Sequence, residues 1–135
     1  MKTLISLPGI TVFASLFIIS SSGYASLINS ITLSKAFDNN AVAAKKNFNE
    51  NTPTIVGTVT SVDTDILGNP FISLQGKDGW SSVLLEVDEA DPYLLKVNKR
   101  DIIEATCEKT SGVTLGDVIM KNCSVSRLMG TKHSR

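Results

Sequence analysis

Apolar and polar residues alternate along the second half of the chain in short runs separated by turn-forming residues. The runs cover 54–62, 71–75, 81–87, 102–108 and 117–125, and Val, Ile, Leu and Thr dominate them. Gly, Asn, Asp or Pro stands between most consecutive runs. Because β-branched residues fit a pleated strand and these turn residues end one, the pattern predicts five β-strands.

The period changes between the third and fourth predicted strands. Asp91 followed by Pro92 is typical of the first turn of a helix, and it predicts a short helix over 91–97. Three strands, a helix and two more strands are the element order of the OB-fold, a partly open five-stranded Greek-key barrel. The prediction is therefore a mainly β protein with its barrel over 54–125.

The first 25 residues have the features of a secretory signal peptide. Lys2 precedes an apolar run over 4–19, and the small residues Gly23 and Ala25 occupy the positions that a signal peptidase recognises. The alternative is an uncleaved membrane anchor, although the run is short and Pro8-Gly9 interrupts it. We predict an exported protein, periplasmic or secreted, whose mature chain begins at Ser26 and does not remain inserted in a membrane.

Residues 26–53 predict an N-terminal helix and a linker. Apolar residues recur at spacings of three and four from Leu27 to Asn49, with a weak point at Asn39-Asn40. We expect this helix to pack against the barrel and supply apolar area that so small a domain lacks. The alternative is a helix that binds a partner or a membrane surface. The polar tail, 126–135, is predicted to be flexible.

The two cysteines predict a disulfide. Cys107 and Cys123 lie on the two arms of the last predicted hairpin, about equally far from its tip. An even cysteine count in an exported chain favours a structural bridge. A metal site is the alternative, but His and acidic partners at ligand spacing are missing, and a redox pair usually has the Cys-x-x-Cys spacing.

The sequence offers no arrangement typical of catalysis. His133 is the only histidine and is the third residue from the end, whereas a Ser-His-Asp or Cys-His site needs a histidine held rigidly. Acidic residues at 63 and 65 and over 86–91 fit a solvated loop and a helix cap, since a calcium loop has a denser pattern of oxygen ligands. We expect no enzymatic activity, cofactor or metal.

Three segments carry a resemblance to a known family. They are the Asn-Asn-Ala-Val-Ala-Ala segment at 39–44, Val56-Gly-Thr-Val59, and the run from Leu115 to Cys123. With these, residues 35–125 resemble the small exported bacterial OB-fold proteins called tRNA-anticodon-binding-like. The resemblance implies an OB-fold and, by the family's name, an oligonucleotide ligand. The chain departs from the family at Lys99-Arg-Asp101, where Gly-Asp is usual before the fourth strand.

The charge of the predicted barrel is unfavourable for an oligonucleotide ligand. The predicted barrel holds six Lys or Arg residues and eleven Asp or Glu residues, a formal net charge of −5. Neutralisation of phosphate charges by Lys and Arg supplies most of the non-specific affinity of a protein for nucleic acid. Nucleic-acid binding by an acidic barrel is therefore disfavoured. Trp80 stands at a turn where it is either a contact residue or part of the barrel-end packing. The candidate ligand-binding residues are Phe71, Lys77, Trp80, Lys109 and Lys121.

The sequence therefore favours a non-enzymatic exported binding module whose partner is an unidentified protein or glycan. An oligonucleotide-binding protein is the alternative. A structural subunit or inhibitor that acts through an edge strand is a third hypothesis.

Overall fold

The computed structural model describes residues 26–131. The elements are β1 (Leu27–Asn29), α1 (Ser30–Asn39), α2 (Ala41–Asn51), β2 (Thr54–Thr64), β3 (Pro70–Gln75), β4 (Ser82–Val87), β5 (Asp101–Thr114) and β6 (Asp117–Thr131). The predicted signal peptide and His133 lie outside the described residues.

Five strands close into a barrel in the order β2-β3-β4-β6-β5, with β5 pairing back onto β2. The β4–β6 pair is parallel, and the other four pairs are antiparallel. This topology confirms the predicted OB-fold. Strand β1 pairs in parallel with the start of β2, next to the barrel.

The barrel interior follows from the alternation along each strand. Val83, Leu85 and Val87 are buried, while the residues between them point outward and are half-buried. Each Val or Leu buried in this way contributes about 1.5–3 kcal/mol. The same alternation fills the interior from the other strands with a set of almost wholly buried side chains: Ile55, Val59, Ile72, Leu74, Ile103, Val118 and Met120.

The predicted N-terminal helix is a short strand followed by two helices. The Asn29 side chain accepts a hydrogen bond from the Ile31 amide at 2.8 Å and caps α1, so the helix begins at Ser30. Asn40 is extended, at φ −160°, and its side chain accepts from the Ala43 amide at 3.0 Å to start α2. Asn40 therefore breaks the helix at the predicted weak point. Helix packing on the barrel is confirmed by the buried Leu33 and Phe37 of α1 and Phe48 of α2.

The segment between β4 and β5 holds one helical turn among several tight turns. The Asp91 carboxylate accepts from the Tyr93 amide at 2.9 Å, and the Val97 amide donates to the Tyr93 carbonyl at 3.0 Å. The other oxygen of Asp91 accepts from the Val125 amide at 3.0 Å and ties the segment to β6. The predicted helix is thus shortened to a single turn, and the buried Val97 packs its end on the core.

The prediction of a flexible tail is wrong over residues 126–131. Strand β6 continues to Thr131, and Arg127 and Leu128 pair with Glu104 and Ile103 of β5. The physical reason is that β5 begins at Asp101, so its first residues need a partner strand for their backbone groups. The residues after Thr131 lie outside the described part of the chain.

The disulfide between Cys107 and Cys123 is confirmed. The two residues are direct partners in the β5–β6 ladder, with their Cα atoms 4.0 Å apart. The bridge closes a loop with a sequence separation of 16, next to the buried core. Over residues 26–131, no helix has the length and apolar character that a membrane crossing requires.

Candidate functional site

A small apolar surface lies on the outside of the barrel, where β3, β4 and β6 run side by side. Leu84 of β4 is the direct partner of Ile119 on β6, and Phe71 of β3 is the partner of Glu86 on β4. All four are half-buried. They line a shallow cleft of about 120 Å³ together with Asp65 and Pro70. We call Phe71, Leu84, Glu86 and Ile119 the outer face.

The loop between β2 and β3, residues 65–69, stands beside the outer face and is held by one carboxylate. One oxygen of Asp65 accepts from the amides of Leu67 and Asn69, both at 2.9 Å. The Asp65 amide donates to the Asn69 carbonyl at 2.9 Å and closes the loop. The hydrogen bond from the Asn69 amide, with further bonds from the loop, lowers the pKa of Asp65 below its usual 3.8.

This loop presents two aliphatic side chains to solvent. Ile66 is fully exposed and Leu67 is 82 % exposed. Single exposed aliphatic residues are ordinary, but here two adjacent ones sit on a backbone that hydrogen bonds fix in place. We call residues 65–69 the hairpin tip.

The loop between β3 and β4 lies at the other end of β3. Asp78 accepts from the Trp80 amide and from the Lys77 ammonium, both at 2.9 Å. The Lys77 hydrogen bond, with those of Trp80 and Ser81, lowers the Asp78 pKa to about 2, and the same carboxylate raises the pKa of Lys77. Trp80 itself is 91 % exposed.

A second, larger cleft lies beside this loop. It measures about 660 Å³ and runs between the middle of β2, the β3–β4 loop and the residues just before β5. Most of its lining residues have polar or charged side chains, and they include the three cations Lys77, Lys99 and Arg100. We call it the cationic cleft.

The structure separates the five predicted ligand-binding residues into two groups. Phe71 is the ladder partner of Glu86, and the Lys121 ammonium forms an ion pair with the Glu86 carboxylate. Lys109 is the ladder partner of Lys121. Trp80 and Lys77 lie beyond Gln75, which is four residues from Phe71 along β3, or roughly 13 Å. The five residues therefore do not form one site.

Ion pairing changes what two of these lysines offer to a ligand. The Lys121 ammonium lies 3.1 Å from the Glu86 carboxylate, and Lys77 is paired with Asp78. Lys109 is exposed and has no ion pair among the described residues. Lys121 and Lys77 therefore attract a polyanion less strongly than the sequence suggests, because a carboxylate offsets the charge of each ammonium.

Sequence reasoning missed the residues that complete the outer face, the hairpin tip and the cationic cleft. Strand alternation, Ser82-Val83-Leu84-Leu85-Glu86, was the signal that places Leu84 outward. Two aliphatic residues inside a predicted turn were the signal for the hairpin tip. The missed residues are Asp65, Ile66, Leu67, Leu84, Glu86, Lys99, Arg100 and Ile119.

Between Ser26 and Thr131 there is no group of three or more His, Cys, Asp or Glu side chains placed to hold a metal ion. Every buried polar side-chain atom in that range has a hydrogen-bond partner.

Comparisons with known proteins add little. No protein-family model matches the chain, and comparison with curated protein sequences gives no match. Among solved structures, the chain is similar to a crystal structure of an aspartyl-tRNA synthetase from Leishmania major Friedlin, at 13 % identity and a TM-score of 0.47. The similarity covers 85 % of this chain but only 23 % of that chain.

Proposed function

We propose that this chain is a non-enzymatic, exported binding module that docks a protein partner through the hairpin tip and the outer face. Two sequence features support the exported part of the proposal: the signal-peptide pattern of residues 1–25 and the cysteine pair. The absence of a nucleophile–base motif from the sequence supports a binding role rather than a catalytic one.

One observation carries the choice of partner: two aliphatic side chains project from a loop that is already ordered. A loop fixed by the Asp65 hydrogen bonds loses little conformational freedom on binding. Burying Ile66 and Leu67 in a partner would contribute about 1.5–3 kcal/mol each. Aliphatic tips of this kind fill pockets on proteins, and Phe71, Leu84 and Ile119 extend the apolar contact area.

A glycan is the closest competitor, because sugars stack on aromatic rings and their hydroxyls donate to carboxylates. Phe71 and Glu86 supply those two groups on the outer face. A glycan makes little use of Ile66 and Leu67, however, and this is why we favour a protein.

The experiment compares partner capture by matched variants. The double variant Ile66→Ser, Leu67→Ser removes the aliphatic tips while keeping the Asp65 hydrogen bonds. Leu95→Ser is the control, since Leu95 is 96 % exposed and does not line the cleft of the outer face. The three proteins are used to capture partners from a periplasmic extract, and each candidate partner is then purified and titrated.

We expect a partner that binds the unmodified protein and the Leu95 variant alike, and binds the double variant at least about 100-fold more weakly. The proposal is wrong if no captured protein depends on Ile66 and Leu67. Binding on a glycan array that disappears in Phe71→Ala but persists in the double variant would assign the outer face to a glycan instead.

Oligonucleotide binding is the second candidate. The exposed Trp80 favours it, as does Lys109, which has no ion pair within residues 26–131. Stacking one base on Trp80 would contribute about 1–3 kcal/mol. The barrel charge opposes this, and we expect no binding to single-stranded DNA or RNA tighter than about 10 μM near physiological salt. Fluorescence anisotropy measures it. Tighter binding that is lost in Trp80→Ala and Lys109→Glu would favour the oligonucleotide.

A further inference from the structure

The cationic cleft differs in charge from the rest of the barrel, which is acidic. Lys77, Lys99 and Arg100 line it against a single acid, Asp78, so its formal charge is +2. Residues 54–131, which form the barrel, carry a formal net charge of −4. A concave surface concentrates the field of the charges that line it, which attracts small anions.

Two of the three cations are available to a ligand. Asp78 is occupied by Lys77 and by the Trp80 amide. Lys99 and Arg100 are exposed and take part in no ion pair within residues 26–131. The net charge of the cleft is therefore carried by Lys99 and Arg100.

The backbone conformation of Arg100 is a second observation that points to a ligand site in the cleft, and it is independent of the cleft's charge. Its φ is +80°, in the left-handed region where a side chain other than glycine is strained. The conformation is held from both sides. The Arg100 amide donates to the Val59 carbonyl at 2.8 Å, and the buried Asp101 carboxylate accepts from the Asn98 amide at 2.8 Å.

Glycine would adopt this backbone without strain, yet the chain has arginine there. Strained residues that the surrounding structure holds in place are concentrated at functional sites. The guanidinium is the group that this position adds to the cleft. Because it is planar and carries several donors, it pairs with carboxylate or phosphate through two parallel hydrogen bonds.

We propose that the cationic cleft binds the carboxylate or phosphate group of a small hydrophilic ligand, of the class of acidic or phosphorylated sugars. Arg100 and Lys99 hold the anionic group. The polar residues Thr58 and Ser82, which also line the cleft, face the hydroxyls of the ligand. A volume of about 660 Å³ lies within the usual range of small-molecule sites, about 300–1,000 Å³. The cleft is separate from the hairpin tip, so this proposal does not depend on a protein partner.

The test is a titration of the ¹⁵N-labelled protein, with its disulfide intact, followed by NMR. The probes are glucuronate, glucose 6-phosphate and neutral glucose. We expect the first two to shift the amide signals of Thr58, Lys77, Ser82 and Arg100, and glucose to leave them unchanged. The stronger of the two anions identifies carboxylate or phosphate as the preferred group.

Arg100→Gly separates binding from folding, because it removes the guanidinium and relieves the backbone strain at once. We expect this variant to be at least as stable as the unmodified protein and to bind the preferred anion at least about tenfold more weakly. Lys45→Gln is the control: Lys45 is an exposed cation on α2 and does not line the cleft. It should bind as the unmodified protein does.

Three results would each overturn the proposal. The first is unchanged affinity in Arg100→Gly. The second is an equal response to glucose, which would mean that the charge has no role. The third is the absence of any shift at these amides with either anion up to about 20 mM, where even very weak binding is detectable.

Discussion

The loops at the two ends of β3 are ordered in the same way: in each, an aspartate side chain accepts hydrogen bonds from backbone amides that follow it. Asp65 orders the hairpin tip in this way, and Asp78 orders the β3–β4 loop. They differ in what lies beyond the aspartate. The hydrogen bonds that shape the hairpin tip join residues of the tip to each other.

The β3–β4 loop is fastened to α1. The Ser30 hydroxyl donates to the Gln75 carbonyl at 2.7 Å, and the Lys77 amide donates to the Ser34 hydroxyl at 3.0 Å. Both serines are buried. The hairpin tip is thus ordered by its own sequence, whereas the position of Lys77 in the cationic cleft depends on how α1 packs on the barrel.

The largest expected effect comes from a change that belongs to neither loop. Replacing both Cys107 and Cys123 by Ala should lower the free energy of unfolding by about 3 kcal/mol, because the bridge no longer restricts the unfolded chain. Denaturant unfolding with and without the substitutions measures it. Since the bridge joins β5 to β6, the signals of both β3 loops should stay unchanged in the folded variant.

Thiol titration provides the independent check on the bridge. Folded, non-reduced protein should release no free thiol. Two titratable thiols in that sample would contradict the bridge and the stability effect together.

The next effect separates the two loops directly, through one glycine in each. A Cβ on Gly76 would lie 2.3 Å from the Ser81 carbonyl oxygen, so Gly76→Ala should cost about 2–3 kcal/mol as the backbone is forced apart. Gly68 has open space around it but a φ of +88°. Gly68→Ala should therefore cost only about 1–2 kcal/mol.

Both glycine variants are compared by thermal or denaturant unfolding. Gly76→Ala should also move the amide signals of Ser30 and Ser34 on α1, while Gly68→Ala should move signals within residues 65–69 alone. If Gly68→Ala moved the signals of α1 as strongly as Gly76→Ala does, the hairpin tip would not be independent of α1, and the proposed difference between it and the β3–β4 loop would be wrong.

Local pattern was enough to predict the barrel, because each strand carries its own alternation and its own bounding turn residues. It was not enough where pairing over distance decides the structure. Residues 27–29 fit a helix start, yet they form β1 because Thr54–Val56 lie alongside them. Residues 126–131 lack a clear alternation of apolar and polar residues, yet they are a strand because the start of β5 is their partner.

The same limit applies to the candidate surfaces. The ion pair between Lys121 and Glu86 joins residues 35 positions apart, so the sequence suggests two independent charges where the fold has one neutral pair. In the sequence, the only unusual feature of Arg100 is that it stands where the tRNA-anticodon-binding-like proteins usually have glycine. The reason, a left-handed backbone beside a cleft, requires the three-dimensional structure.

The smallest expected effect is on pH dependence, and it compares Asp65 with Asp78. The folded protein lowers the pKa of both carboxyls, that of Asp78 to about 2, because hydrogen bonds favour the ionised form. A carboxyl whose folded pKa is below its unfolded value stabilises the protein fully above about pH 4. This contribution falls as the pH drops through the folded pKa. Asp78 should therefore contribute to acid sensitivity down to about pH 2.

Asp78→Asn keeps an oxygen that can accept from the Trp80 amide but removes the charge that faces Lys77. We expect the variant to lose part of the decline in stability between about pH 4 and pH 2, and the pKa of Lys77 to return toward its usual 10.5. Asp65→Asn should flatten the decline less, because no cation among residues 26–131 is bonded to Asp65, and its bonds come from amides and the Asn69 side chain. Unfolding curves at a series of pH values measure both variants. A decline in Asp78→Asn as steep as in the unmodified protein would show that the Lys77–Asp78 contact forms without stabilising the loop.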